Sequence, residues 1–105
     1  MEKNNITLVY ITCKNNAEEK KITKALLGKK LIACANMFPI SSMYKWKGKM
    51  QSSKEVVLIA KTKPMNYEKI KKLVARIHSY STPCIIKIDA VANEPYFRWL
   101  IGEMK

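Results

Sequence analysis

The chain has 105 residues, 48% of them hydrophobic and 27% charged, with a formal charge of +12. That length suits one domain spanning residues 1–105, and that apolar content excludes a disordered chain. No apolar run reaches the roughly 18 residues a membrane-crossing helix needs, and the start of the sequence has no secretory signal pattern.

Asn4 to Cys13 is rich in Ile, Val, Thr and Tyr and is predicted to be a strand. Asn15 or Asn16 can cap a helix, with Glu18 and Glu19 in its first turn and Gly28 as its stop. Leu31 to Phe38 is predicted as a second strand, ended by Pro39. Ser41 to Thr62 is predicted as a hairpin turning at Lys47-Gly48-Lys49, with Tyr44 and Trp46 on one strand face and Met43, Lys45 and Lys47 on the other. Pro64 opens a helix with an apolar stripe at Tyr67, Ile70, Leu73, Val74 and Ile77. Cys84 to Ala92 is a fourth strand, and Glu94 to Met104 a short last helix. The order β-α-β-β-α-β predicts an α+β, ferredoxin-like sandwich with both main helices on one sheet face.

The strands are too apolar for that arrangement alone. Leu31-Ile32-Ala33-Cys34-Ala35 and Val56-Val57-Leu58-Ile59-Ala60 offer apolar side chains to both faces. A sheet with helices on one side should alternate apolar and polar residues. At about 25 cal/mol per Å², hiding a further ~800 Å² favours association by roughly 20 kcal/mol before its costs. The second face is therefore expected to pack against other copies of the chain, and symmetry favours a closed ring.

Twenty basic residues face eight acidic ones, and all but Arg76 and Arg98 are Lys, spread from Lys3 to Lys105. Arg is the better fork for phosphate and bases, so the charge reads as surface solvation and nucleic acid is disfavoured as a partner. Cys13, Cys34 and Cys84 are odd in number and lack a C-x-x-C spacing, which points to free thiols in a reducing cytoplasm. Neither a Gly-rich phosphate loop nor a nucleophile elbow is present. A binding protein is expected rather than an enzyme.

Several stretches together resemble the CutA divalent-cation-tolerance family: Val9-Tyr10-Ile11-Thr12-Cys13, Leu31-Ile32-Ala33-Cys34-Ala35-Asn36, Tyr44-Lys45-Trp46-Lys47-Gly48-Lys49, Glu55-Val56-Val57-Leu58-Ile59-Ala60-Lys61-Thr62 and His78-Ser79-Tyr80-Ser81-Thr82-Pro83. The resemblance implies a homotrimeric binding or sensing module in the response to metal ions, with copper(II) or another divalent cation as the candidate ligand. Of the ligand positions invoked for copper in the family, Ile11, Ile77 and His78 stand here, so His78 is the surviving metal candidate, with Cys13 two residues beyond the thiol position. Trp46, Lys61 and Tyr80 are candidates for a cleft between subunits that takes a metal ion or small anion. Tyr44, Trp46 and Cys34 are expected in trimer packing. Cys84 stands where the family often carries Glu, which removes an acid from that cleft. The alternatives are a small-molecule signalling trimer of the PII type and a basic RNA-binding module, whose aromatic signature is missing at Lys49-Met50-Gln51-Ser52.

Overall fold

The computed structural model describes residues 3–105. Its elements are β1 (Asn5–Cys13), α1 (Asn16–Gly28), β2 (Cys34–Trp46), β3 (Lys49–Thr62), α2 (Tyr67–Ile77), β4 (Ile85–Val91) and α3 (Glu94–Glu103), with a single 3-10 turn at Pro64–Asn66. The four strands form one antiparallel sheet in the order β2-β3-β1-β4. This is the ferredoxin-like arrangement that the element order predicts.

Local chemistry sets the boundaries. The Asn15 side chain accepts a hydrogen bond from the Glu18 backbone N–H at 2.9 Å and starts α1. Pro64 begins the turn that leads into α2, and Pro95 lies in the first turn of α3. At the hairpin tip, Lys47 (φ 52°) and Gly48 (φ 78°) both occupy the left-handed region. A two-residue turn of that kind matches the twist of the strands it joins, and glycine relieves one of the two positions.

The second strand differs from its expected limits. Leu31, Ile32 and Ala33 are not in it; β2 begins at Cys34 and runs straight through Pro39 to Trp46. Ile32 and Ala33 are buried in the connection after α1, where an apolar run packs into the core without pairing as a strand. Pro39 is tolerated because β2 lies at the edge of the sheet, where a missing N–H need not break a ladder between two strands.

The two sheet faces are unequal. On one, Val9, Ile11 and Cys13 of β1 and Leu58 and Ala60 of β3 pack against Ile22 and Leu26 of α1 and Ile70 and Val74 of α2. On the other, α3 covers one end only, where Leu100 and Met104 meet Ile6 and Ala33, with Leu8, Tyr96 and Phe97 around them. Much of the rest stays open: Ile86 is 48% exposed and Phe38 42%, although Val57 between them is buried. Cross-strand pairing places Tyr10, Ile59 and Ile86 side by side on this face. The hairpin also outruns the sheet. Val56 to Thr62 of β3 pair with β1, whereas Lys49 to Glu55 pair with β2 alone.

Candidate functional site

Two neighbouring constellations gather the chemistry-bearing residues, one beneath the sheet and one on its open face. The first joins the end of β1, the start of α1 and the end of α2. The ligating atoms of Cys13, Glu18 and His78 lie within 4.8 Å of one another, and all three residues are buried. The structure thus brings together the two candidate metal residues, His78 and Cys13, and adds Glu18. The sequence shows Glu18 as a first-turn acid favoured by the helix dipole. In the structure its Oε1 accepts from the Lys14 N–H at 2.9 Å and its Oε2 from the Ser79 N–H at 2.8 Å, tying β1, α1 and the α2–β4 connection together. Burial pushes the Glu18 carboxyl up. The hydrogen bonds from Lys14 and Ser79, with His78 nearby, outweigh it and hold the group below its usual range.

Both ring nitrogens of His78 are engaged. Its Nδ1 accepts from the Tyr80 backbone N–H at 3.0 Å, which leaves Nε2–H to donate to the Thr12 carbonyl at 2.8 Å. The Cys13 thiol is pushed up to about 12, first by burial and then by Glu18, Glu19 and Glu55. A thiol must lose its proton to ligate, and an imidazole must offer a free lone pair. The donor types suit copper(II) or zinc(II), but the arrangement does not fit a resident ion, because the imidazole is already used on both sides. The cluster instead fastens the α2–β4 connection to β1.

That connection forms one wall of the second constellation, a cleft of about 690 Å³. Tyr10 and Thr12 of β1, Tyr44 and Trp46 of β2, Glu55 of β3 and Tyr80 line it, with Cys84 beside them. Trp46 and Tyr80, both expected to line a cleft between subunits, lie in this cleft of the single chain. Tyr44 and Trp46 share a strand face, as the alternation predicts, and each stays close to half exposed. Glu55 is 7% exposed, and the Tyr80 hydroxyl donates to its Oε2 at 2.6 Å. Burial, together with that hydrogen bond and the charge of Glu55, holds the Tyr80 phenol well above its usual range. Strand parity carried a signal for Glu55: it shares the face of Val57 and Ile59, so it is an acid projected onto the apolar side of the sheet.

Lys61 does not line this cleft. It lies further along the open face, its Nζ 5.3 Å from the centre of the Tyr96 ring. Cys34, its cross-strand neighbour, meets the Tyr96 hydroxyl at 3.1 Å. Tyr96 also stacks on Trp99 of α3 with ring centres 5.5 Å apart. These residues join α3 to the sheet edge.

With this geometry in place, the chain can be compared with known proteins. Residues 7–103 match the family model described as CutA1 divalent ion tolerance protein. The divalent-cation tolerance protein CutA of Pyrococcus horikoshii is 40% identical over 99 residues, covering 93% of this chain and 97% of that one. The solved structure of the periplasmic divalent cation tolerance protein CutA from Archaeoglobus fulgidus superposes with a TM-score of 0.93 at 35% identity, covering 95% of this chain and 99% of that one. The divalent ion tolerance protein CutA1 from Ehrlichia chaffeensis also gives 0.93, at 34% identity over 99% of both chains. The chain belongs to the CutA1 divalent ion tolerance family.

Proposed function

We propose that the protein is a homotrimeric binding and sensing module in the cellular response to divalent cations, acting in the reducing cytoplasm and without catalysis of its own. The observation that carries this reading is the open sheet face. Phe38, Ile86 and Ile88 stand exposed beside half-buried Tyr10 and Ile59, a contiguous apolar surface of the kind that marks a protein contact. Family membership supplies the link to divalent ions. Three cysteines without disulfides suit a reducing compartment.

On this reading the copies cover one another's open faces, and the projecting hairpin reaches across the contact. Copper(II) does not take up residence at Cys13, Glu18 and His78, because the His78 contacts to Thr12 and Tyr80 would have to break first. A nucleotide-binding PII-type reading has little support, since the lining of the cleft includes Glu55 and no basic residue.

Complementation tests the proposal. In a host lacking its own family member, this protein is expected to restore growth on copper(II), and an Ile86→Asp variant that cannot assemble is expected to fail. Equal rescue by both would sink the trimeric reading. Calorimetry with copper(II) is expected to give the same heats for the unaltered protein and for His78→Ala. A loss of heat in the variant would return His78 to the ligands.

A further inference from the structure

Half of the cations lie in the helix layer, on the side of the sheet away from the open face. Residues 20–30, the body and exit of α1, and residues 63–76, the entry and body of α2, hold ten of the twenty Lys and Arg and a single acid, Glu68. None of the ten is buried. The two acids that open α1 turn inward: Glu18 accepts from the Lys14 and Ser79 N–H groups, and Glu19 Oε2 accepts from the Thr23 hydroxyl at 2.7 Å. Among the described residues one ion pair, Lys71 with Glu68 at 2.9 Å, engages any of the ten. The outer side of this layer lies opposite the face that copies of the chain cover, so assembly leaves these charges in water.

One end of the layer is apolar as well as basic. The exit of α1 and the entry to α2 meet there, because the Asn66 side-chain amide donates to the Leu31 carbonyl at 3.1 Å. Lys30 takes the left-handed region (φ 57°), and the Lys30 and Leu31 N–H groups close the helix onto the Leu27 and Leu26 carbonyls, both at 3.0 Å. Leu27 is 43% exposed and Met65 is 74% exposed in these two connections. Lys29, Lys30 and Lys63 stand in the same connections, and none of the three joins an ion pair with a side chain among the described residues. The Lys30 ammonium meets a carbonyl instead, that of Lys105 at 3.2 Å.

A surface of unpaired cations selects a polyanion. A nucleic acid would gain phosphate contacts and little else. Arg76 is the one Arg of the two segments, and Tyr67, their one aromatic ring, is half-buried with its hydroxyl on the Ile85 carbonyl at 3.2 Å. Base stacking and bidentate readout both lack a platform. An anionic bilayer uses both features: ammonium groups meet its headgroups while apolar side chains enter the acyl boundary. We propose that the end of the helix layer carrying Leu27, Met65, Lys29, Lys30 and Lys63 is a peripheral docking surface for a lipid bilayer with anionic headgroups. The inference goes beyond the sensing role and does not rest on it, because one chain supplies every residue named.

Co-sedimentation with vesicles tests it. The full chain is expected to bind vesicles of phosphatidylserine and phosphatidylcholine in equal parts, to release as salt rises, and to ignore vesicles of phosphatidylcholine alone. Joint Lys29→Gln, Lys30→Gln and Lys63→Gln is expected to weaken binding about a hundredfold. Leu27→Ser with Met65→Ser is expected to weaken it roughly tenfold at unchanged charge. Removing the same charge elsewhere, by Lys3→Gln, Lys54→Gln and Lys87→Gln, is expected to leave binding nearly unchanged. On the unaltered protein, anionic vesicles are expected to protect Lys29, Lys30 and Lys63 from acylation, read by mass spectrometry, a result independent of how any variant folds. Absence of vesicle binding, equal binding to phosphatidylcholine alone, equal loss from the two lysine triplets, or protection mapping elsewhere would each overturn the proposal. So would binding of duplex DNA without binding of vesicles, which would make this face a nucleic-acid surface.

Discussion

The same strands build two sheet faces with opposite fates. Ile11 and Leu58 face each other on the helix side, where neither is exposed. One residue away, Tyr10 and Ile59 face each other on the other side and remain half-buried. Both pairs are largely apolar; what differs is the cover. Two helices seal one face, while α3 reaches only one end of the other. Apolar content alone therefore does not tell a core from a contact. The number of elements available to cover each face does.

Substitutions can break this contrast. The largest effect is expected from Leu58→Ala on the sealed face, which removes buried methyl groups and leaves a cavity. Thermal or urea unfolding should show a loss of about 2–5 kcal/mol. Next comes Glu18→Gln, which weakens two hydrogen bonds that pin the cluster under the cleft and should cost about 1–2 kcal/mol. The sign of its pH dependence is fixed by the lowered carboxyl. Its contribution is present above the ordinary glutamate value of 4.5 and is lost as pH falls through the lower folded value. The unaltered protein should thus show an acid limb that flattens in Glu18→Gln. Asn15→Ala removes the cap of α1 and should cost about 1 kcal/mol.

The smallest effect on folding is expected from Ile86→Ser on the open face, within roughly 0.5 kcal/mol for the isolated chain. Its assembly should weaken instead. Thiol labelling sharpens the same contrast without mutation. Buried Cys13, with its thiol pushed up to about 12, should resist iodoacetamide at neutral pH, while half-buried Cys34 and Cys84 react unless assembly covers them. Rapid labelling of Cys13 in the folded protein would contradict the sealed face.

Much of this was legible in the residues. The element order gave the sandwich, and the two-sided apolar strands flagged the open face. Leu31-Ile32-Ala33 misled because a buried connection and a buried strand carry the same apolar run. Pro39 misled because its meaning depends on whether a strand lies at an edge, which is a property of the sheet. Tyr44 and Trp46 were legible as sharing one strand face because alternation sets their direction. The burial of Glu18 and Glu55 was not legible. An acid in a first helical turn or in a return arm ordinarily faces water, and only the α2–β4 connection folding back over β1 and β3 buries these two. Lys61 lies outside the cleft of the single chain. It shares the face of the cleft, but Tyr96 from α3 holds it further along the strand.

The most direct test of the unfinished face is the mass of the dissolved protein. Multi-angle light scattering of the unaltered chain, followed down to micromolar concentration, should give three times the 12.1 kDa chain mass, and Ile86→Asp should fall toward a single chain while keeping its secondary structure. A stable, folded species of one chain mass from the unaltered protein would contradict the account.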